Sequence, residues 1–343
     1  MDKRVIFAVA GAGKTTHIIN SLSLDKRSII VTYTENNYHH LRHRIIQKFG
    51  FIPETVTVLT YFTFLYSFCY KPFLHDKYRA KGINWNTPPA FTLRLRRSDK
   101  RFYIDSSGRL YSNRIAKLIE QETVLGQVQN RLSKYYDQFF VDEMQDFGGH
   151  DFNLLKSLCS AELEINYVGD FYQHTFDTSR DGNVNKSIYN DFEAYQAHFH
   201  DVGIIPDTTT LSHSYRCTPQ VCAFITEHLG INIQSHKDTS SEVLFLTEAE
   251  QIREKFLCNE TVKLFFQNHM KYPCLSQNWG KSKGQDHYTD VCIMLYPAAM
   301  KAYKDGDLRN LKASSRNKLY VACTRANNNV FFIEENQVKQ FSC

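Results

Sequence analysis

Apolar runs long enough to cross a membrane are missing from this 343-residue sequence, because no run approaches the ~18 residues that a spanning helix needs. We therefore expect no membrane partner. Internal repeats, low-complexity tracts and linkers rich in proline, glycine or serine are missing as well, which predicts a compact chain. An apolar strand pattern begins close to Met1, so we also expect no signal peptide.

Cysteine pairs with C-x-x-C spacing are absent too. The nine cysteines are odd in number, and no two of them form a C-x-x-C pattern. This usage is typical of free thiols in a reducing compartment, and it predicts a cytoplasmic protein. The length corresponds to about two domains, each large enough to bury a core of its own.

The string AVAGAGKTT at residues 8–16 lies between an apolar run, Val5 to Val9, and a segment of helical character. A loop in this strand–loop–helix context binds phosphate through backbone N–H groups at the start of the helix. Glycine is needed wherever a Cβ would block the phosphate. We expect nucleotide contacts from seven residues of this loop: Ala10, Gly11, Ala12, Gly13, Lys14, Thr15 and Thr16.

Two side chains of this loop have individual roles in that interpretation. Lys14 would reach the β- and γ-phosphates, and the Thr15 hydroxyl would bind Mg²⁺. Ala8 stands where the general G-x-x-x-x-G-K-[ST] pattern has its first glycine. The alternative is a tight strand-to-helix turn that contains a lysine by chance.

A second candidate site is QFFVDEMQD at residues 138–146, where an apolar strand pattern runs into two carboxylates. We expect Asp142 to be the outer ligand that orients the Mg²⁺–nucleotide complex, since Mg²⁺ prefers oxygen ligands. Glu143 is expected to polarise the attacking water. An acidic turn that caps a helix is the alternative for this string alone. Its combination with Lys14 favours the nucleotide site.

Further strings follow in a fixed order, and together with the two sites above they resemble the boxes of superfamily-1 helicases of the UvrD/PcrA/Rep type. The resemblance extends over nearly the whole chain. Phe62 stands in one string where the family usually has histidine. The strings are VTYT (31–34), LTYFTFL (59–65), VGDFYQ (168–173), LSHSYRCTPQV (211–221), SKGQDHYTDVCIML (282–295) and KLYVACTRA (318–326).

The resemblance implies roles for individual residues of these strings. Gln173 would sense the γ-phosphate, and Asp286 would occupy the acidic position of a cofactor-binding segment. Arg216 and Arg325 would be two phosphate-contacting arginines; an arginine supplied in this way accelerates hydrolysis by ~10³–10⁵. Each arginine taken alone is more commonly part of a surface salt bridge. The implied cofactors are ATP and Mg²⁺, and the implied nucleic-acid contacts are Thr32, Tyr33 and Thr60.

The fold implied by the resemblance is α/β, with two RecA-like P-loop NTPase domains, parallel sheets and the nucleotide in the interdomain cleft. The first domain would span residues 1–205 and carry a basic insertion at about 71–135. The second would span residues 206–343 and carry the arginines. Small proteins of this kind can be partners of nucleases in antiphage systems, which makes a nuclease one expected protein partner.

The positive charge is concentrated in one segment. The net charge is +5, and residues 71–117 carry twelve lysines and arginines against three aspartates, so the remainder of the chain is at −4. Basic groups that follow phosphates, mixed with aromatic rings that stack on bases, are what a single-strand channel requires. We expect Arg94, Arg96 and Arg97 to bind nucleic acid. The alternative is a solvated loop whose aromatics pack on the parent domain. Those aromatics are Phe73, Tyr78, Trp85, Phe91, Phe102 and Tyr103.

The sequence thus predicts ATP hydrolysis coupled to movement along single-stranded DNA or RNA, with or without unwinding. Two other classes of function remain open. A P-loop nucleotide kinase would share Lys14 and Thr15, but it would not need the later arginines. An ATPase that acts as a switch or as the partner subunit of a nuclease would keep every catalytic residue and lack directional movement.

Overall fold

The structure is a computed structural model that describes residues 1–175 and 181–342. Its described strands lie in two five-stranded sheets and two short pairs. In chain order they are β1 (Lys3–Phe7), β2 (Ser28–Thr32), β3 (Val56–Thr60), β4 (Ile83–Asn84), β5 (Leu110–Tyr111), β6 (Gln138–Val141), β7 (Glu164–Gly169), β8 (His213–Ser214), β9 (Gln234–Ser235), β10 (Val243–Phe245), β11 (Val262–Phe265), β12 (Ser276–Asn278), β13 (Val291–Leu295) and β14 (Val330–Glu334).

The helices alternate with these strands along much of the chain. They are α1 (Lys14–Ser21), α2 (Glu35–Phe49), α3 (Tyr61–Thr63), α4 (Lys71–Tyr78), α5 (Lys100–Tyr103), α6 (Ile115–Gln121), α7 (Leu125–Tyr135), α8 (Gly149–Leu158), α9 (Phe192–His200), α10 (Pro219–Phe224), α11 (Ala249–Leu257), α12 (Pro297–Lys304), α13 (Ala313–Cys323) and α14 (Glu335–Val338). Phe64–Tyr70 and Ile225–Leu229 are π-helical.

The described residues form two compact units. Unit 1 takes its residues from Met1–Ile6, Lys14–Gly169 and Asp177–Asp207. Unit 2 takes its residues from Phe7–Gly13, Asp170–Phe176 and Thr208–Cys343. Within the described part of the chain, no helix is both long enough and apolar enough to cross a membrane.

The first sheet has the order β1-β7-β6-β2-β3. Its strands β2, β3, β6 and β7 pair in parallel, with Thr32 opposite Thr60 and Val31 opposite Val141. The strands β2 and β6 are buried along their whole length, which is typical of a parallel sheet covered on both faces. Because the strands are parallel, the residues that follow them lie along one edge, where ligands bind in folds of this class.

The second sheet belongs to unit 2 and has the order β10-β14-β13-β11-β12. Its pairs are parallel as well. The strand β13 is fully buried, and its Met294 packs in a core with Phe256, Phe265 and Ile333. The expected α/β fold of two RecA-like domains with parallel sheets is therefore confirmed.

A long excursion separates β3, at the edge of the first sheet, from β6 near its centre. It contains the helices α3 to α7 and the small parallel pair of β4 and β5. The basic segment, residues 71–117, lies within this excursion. The excursion as a whole begins at the carboxyl end of β3.

Candidate functional site

The phosphate loop begins after Phe7, where β1 ends, and α1 begins at Lys14. The strand is thus shorter than the apolar run to Val9 predicts, because the Val9 amide leaves the sheet and donates to the carbonyl oxygen of Leu211 at 2.9 Å. Gly11 has a φ of +72°, in the left-handed region that side chains disfavour.

Gly11 is also closely packed. A Cβ placed there would lie 2.8 Å from Cβ of Arg216 and 2.8 Å from Oγ of Ser214. The Gly11 carbonyl accepts a hydrogen bond from the Tyr215 amide at 3.0 Å. Glycine is therefore required at this position for its backbone conformation and for the close approach of residues 214–216.

We expect Gly11→Ala to weaken ATP binding about tenfold or more, because the loop must shift to relieve both the strain and the overlap. The control is Gly50→Ala. Gly50 has a φ of +82° and open space where the added methyl would lie, so it tests backbone strain alone. The control should lose about 1–2 kcal/mol of stability and keep its ATP affinity. Isothermal calorimetry and urea unfolding measure the two quantities; equal affinity losses in both variants would contradict the prediction.

Tyr320 of α13 also contacts the phosphate loop. The Ala10 amide donates to the Tyr320 hydroxyl at 2.8 Å, and that hydroxyl donates to Oδ2 of Asp170 at 2.9 Å. Burial, and then the nearby Asp170 carboxylate, raise the pKa of Tyr320 well above its ordinary value, so the phenol keeps its proton. The Ala10 amide is thus engaged by Tyr320, and the expected contact of Ala10 with the nucleotide stays a prediction.

The remaining loop residues differ in exposure. Ala12 is buried, and its amide donates to the Val9 carbonyl at 3.2 Å. Gly13 has a φ of +83° and is partly exposed, as is Thr15 in the first turn of α1. Thr16 is exposed, and its hydroxyl accepts a hydrogen bond from Arg44 of α2 at 3.1 Å.

Lys14 and Glu143 lie together in unit 1. Nζ of Lys14 is 3.7 Å from Oε1 of Glu143, and both side chains are largely buried. Glu143 has a φ of +55°, an unusual conformation for a residue with a side chain, which costs about 1–2 kcal/mol. Gln145, fully buried, donates from Nε2 to Oε2 of Glu143. The turn after β6 therefore aims the Glu143 carboxylate at the lysine of the phosphate loop.

The glycine that ends β7 allows this turn to form. A Cβ on Gly169 would overlap Oε1 of Gln145 and lie 2.6 Å from Cγ of Met144. Asp142, on the strand side of the turn, is buried, and its Oδ1 accepts a hydrogen bond from the Glu143 amide at 3.0 Å. A side chain at position 169 would therefore displace Gln145 and Met144, so the turn after β6 requires glycine there.

Gln173 belongs to unit 2, in the short 3-10 helix Phe171–Gln173. It is 4% exposed. The side chain of Asp170 caps this helix by accepting a hydrogen bond from the Tyr172 amide at 3.1 Å. Asp170 therefore links the turn that carries Gln173 to Tyr320 and, through it, to the phosphate loop.

The two arginines of unit 2 meet on one carboxylate. Nη2 of Arg216 lies 2.5 Å from Oδ2 of Asp286, and Nη1 of Arg325 lies 2.6 Å from Oδ1. Arg325 also donates from Nε to the carbonyl of Val321 at 3.1 Å, and Arg216 donates from Nη1 to the carbonyl of Thr324 at 3.2 Å. The cluster carries two positive charges and one negative charge, which leaves a net attraction for anions.

Burial shapes the electrostatics of this cluster. Burial first, and the positive charge of Arg216 second, lower the pKa of Arg325 to about 10, while Asp286 opposes the shift. Arg325 is therefore still protonated at neutral pH. The Arg325 side chain is 2% exposed and that of Arg216 is 14% exposed, whereas Asp286 is 52% exposed.

Three of the six residues expected to contact nucleic acid, those implied by the resemblance, end or follow β2 and β3. Thr32 is fully buried, and Thr60 uses its hydroxyl to cap α3. Tyr33 is partly exposed and contacts the rings of Tyr61 and Phe62, with centroids 5.8 and 5.7 Å apart. Of the three, Tyr33 presents the most side-chain surface.

The basic segment separates into two groups of side chains. Five of its twelve cations are paired with carboxylates: Lys77 with Glu122, Arg101 with Asp99, Arg109 with Asp105, and both Arg114 and Lys117 with Asp181. The other seven form no ion pair within the described residues, and all are exposed. They are Lys71, Arg79, Lys81, Arg94, Arg96, Arg97 and Lys100.

The aromatic residues of this segment are divided in a similar way. Tyr78, Phe102 and Tyr103 are buried, which corrects the expectation that they stack on bases. They pack in the interior, as the alternative interpretation proposed for the whole set. Trp85 and Phe91 are 64% and 59% exposed and Phe73 is partly exposed, so three of the six aromatic side chains remain accessible.

Sequence reasoning missed three residues that the structure gives a positioning contact. They are Gln145 on Glu143, Tyr320 on Ala10, and Asp170 on Tyr320. Each lies inside one of the strings that resemble the helicase boxes. No cluster of three or more His, Cys, Asp and Glu side chains suited to a metal occurs in residues 1–175 and 181–342.

Neither protein-family models nor the sequences of curated proteins give a match to this chain. Among solved structures, it is similar to Arterivirus nonstructural protein 10, a helicase, in complex with DNA, with a TM-score of 0.51 and 13% identity over 99% of this chain. A crystal structure of the same helicase gives a TM-score of 0.51 and 12% identity, also over 99% of this chain. This chain spans 63% and 62% of the two helicase chains. The likeness shows a shared fold.

Proposed function

We propose that this chain is an ATP-dependent translocase or helicase on single-stranded nucleic acid, of the superfamily-1, UvrD-like type. The observation that carries the proposal is the pairing of Arg216 and Arg325 on Asp286, in a chain that also sets Lys14 beside Glu143. The fold shared with a helicase solved with DNA supports it. The first sheet lies within residues 1–205 and the second within 206–343, the two domains that we propose.

The residues of unit 1 suit ATP and Mg²⁺. The Thr15 hydroxyl and the Asp142 carboxylate offer the oxygen donors that Mg²⁺ prefers, at the start of α1 and the end of β6. When bound, the metal would neutralise charge on the phosphates. Lys14 binds the β- and γ-phosphates, and the Glu143 carboxylate accepts a proton from the attacking water.

The residues of unit 2 complete the chemistry that we propose. Arg216 and Arg325 stabilise the charge that develops on the γ-phosphoryl group, and Gln173 responds to its presence. Asp286 keeps the two guanidinium groups close together although they carry like charges. Because the arginines act on the γ-phosphoryl group of the nucleotide, hydrolysis is sensitive to any change in the position of their guanidinium groups. Such sensitivity is what converts turnover into movement along a strand.

The decisive experiment measures the ATPase rate of the purified chain alone, with single-stranded DNA, with single-stranded RNA and with blunt duplex. We expect single strands to accelerate hydrolysis and blunt duplex to have little effect. A displacement assay with a labelled protein bound to one strand end then measures directional movement. ATP hydrolysis that no nucleic acid accelerates would contradict the proposal. Hydrolysis that a strand accelerates without displacement would favour a nucleic-acid-triggered switch over a translocase.

A further inference from the structure

Trp85 is the most exposed aromatic side chain of the basic segment. Its side chain follows β4 directly and is 64% exposed. The centroid of its ring lies 4.6 Å from the centroid of the Phe62 ring, at an interplanar angle of 80°. In a perpendicular pair, at least one face of the indole remains uncovered by the partner ring. Trp85 makes no other ring contact within the described residues. One face of the exposed Trp85 indole is therefore free to contact a ligand.

The aromatic contacts continue to the edge of the first sheet. Phe62 contacts Tyr33 with centroids 5.7 Å apart and an angle of 72°. Tyr33 in turn follows β2, and Phe62 lies in α3 just after β3. Trp85, Phe62 and Tyr33 thus form a row, here called the aromatic row, from the basic segment to the carboxyl edge of the sheet.

Trp85 is held in place by its neighbours. Asn84 pairs with Tyr111 across the small sheet, and its Nδ2 donates to Oδ2 of Asp105 at 2.7 Å. The Asn84 side chain also accepts a hydrogen bond from the Asn86 amide at 2.9 Å, which closes a turn around Trp85. These contacts fix the backbone that carries Trp85, so this part of the chain loses little conformational entropy when a ligand binds.

The next turn of the chain is anchored as firmly. In the 3-10 helix Ala90–Arg94, Thr92 is buried, and its hydroxyl accepts a hydrogen bond from Nη1 of Arg114 at 3.0 Å. Arg114 is fixed by Asp181 at 3.1 Å and lies 3.9 Å above the ring of Phe102. The anchor leaves Leu93 and the following arginines at the surface.

The charge at this surface specifies the ligand. Arg94, Arg96 and Arg97 are exposed and have no ion-pair partner in the part of the chain that the structure describes. A ligand that stacks on the free indole face and pairs with these cations offers a flat π surface and several negative charges. Single-stranded nucleic acid offers both, whereas the base faces of a duplex are stacked on one another inside the helix.

We propose that Trp85, supported by Phe62, is a base-stacking site for single-stranded nucleic acid whose phosphates follow Arg94, Arg96 and Arg97. The proposal rests on the proposed function and names the part of this chain that holds a base. One base lies on the free face of the indole. The interaction is independent of base identity, because every base has a π face.

Tryptophan fluorescence tests this assignment directly, because the chain has only two tryptophans. Trp279 is fully buried, and its Nε1 donates to the Leu264 carbonyl at 3.0 Å, so it reports little of events at the surface. We expect an oligonucleotide to quench the fluorescence of the parent chain and to protect it from acrylamide. Trp85→Phe should abolish this change in signal while strand binding continues.

Affinity measurements identify stacking. Trp85→Ala should weaken binding of a single strand roughly 5- to 100-fold, the usual effect of removing an aromatic stacking partner, and Trp85→Phe should restore most of it. The control is Leu93→Ala, which removes an aliphatic side chain that is 68% exposed from the same segment. It should have little effect. The deficit of Trp85→Ala should also disappear on a strand that has abasic sites in place of bases.

Salt dependence separates stacking from phosphate contacts. Trp85→Ala should leave the slope of log affinity against log salt unchanged, since stacking releases no counterions. Neutralising Arg94, Arg96 and Arg97 together should flatten that slope by about 2, because each single-strand phosphate contact contributes about 0.7.

The outcomes distinguish this inference from the proposed function. If single strands accelerate ATP hydrolysis but Trp85→Ala binds them as the parent does, the stacking site is wrong and the proposed function stands. Equal losses for Trp85→Ala and Leu93→Ala on intact and abasic strands would indicate a general apolar effect on strand binding in place of base stacking, which also overturns the inference. If no strand binds at all, the proposed function fails first.

Discussion

Replacing Arg325 by Ala should slow ATP hydrolysis at least ~10³-fold, the usual effect of removing an arginine that stabilises charge on the transferring phosphoryl group. Nucleotide binding should persist, because Lys14 and the phosphate loop are unchanged. The argument depends on the geometry of unit 2, where Arg325 and Arg216 share the two oxygens of Asp286 at 2.6 and 2.5 Å. Single-turnover hydrolysis and equilibrium binding of a fluorescent nucleotide measure the two quantities separately.

Arg325 is buried, so its removal could also disturb the packing around α13. Arg216→Ala avoids that ambiguity, because this side chain is more exposed and approaches the same carboxylate. It should lower the rate by a comparable factor. Arg309→Ala is the control: Arg309 is exposed in the same unit and donates to the Glu227 carbonyl at 3.1 Å. Rates near that of the parent in both Arg325→Ala and Arg216→Ala would mean that these arginines do not act on the nucleotide.

Replacing Glu143 by Gln should keep ATP binding and reduce turnover by ~10²–10⁴, the range associated with loss of a general base. Glutamine has nearly the same shape, and its carbonyl oxygen can still accept the hydrogen bond from Gln145. It cannot accept a proton from water. Lys14→Ala should behave differently and lose nucleotide binding as well as hydrolysis, because the phosphates lose the cation of the loop.

Glu164→Gln makes the same chemical change away from the candidate site. Glu164 begins β7 and pairs with Lys26 at 2.6 Å, on a partly exposed surface. The control should hydrolyse ATP at the parent rate. If Glu143→Gln did so too, the water-polarising group would have to be sought elsewhere. Burst kinetics with radiolabelled ATP distinguish slow chemistry from slow product release in every variant.

The parallel sheets were expected from the resemblance to superfamily-1 helicases, whereas the positions of the charged strings could be predicted because they depend on local pattern. An apolar strand that runs straight into DE fixes Asp142 and Glu143 at a strand end, whatever the remainder of the chain does. Side-chain partners far apart in sequence were not accessible in this way. Asp170 and Tyr320 are 150 residues apart, yet their hydrogen bond determines what the Ala10 amide does.

The basic segment shows the limit of composition as evidence. Arg97 and Arg114 are the same residue type in one charged stretch, but one is exposed and the other is buried against Phe102 and Asp181. Asp181 lies well beyond the segment, so local counting of charges could not reveal the pair. The same holds for Phe102, which is buried, and Trp85, which is exposed. Tertiary contacts decide between structural and binding roles here.

The hydrogen bonds from Ala10 to Tyr320 and from Tyr320 to Asp170 have a thermodynamic consequence. Since the phenol keeps its proton, the direction of both bonds is fixed, and the loop takes one shape before any anion arrives. A ligand that favours this shape must, by reciprocity, also favour the arrangement of α13, the helix that ends two residues before Arg325. The affinity of the loop for its ligand and the stability of the α13 arrangement are therefore linked by one coupling free energy.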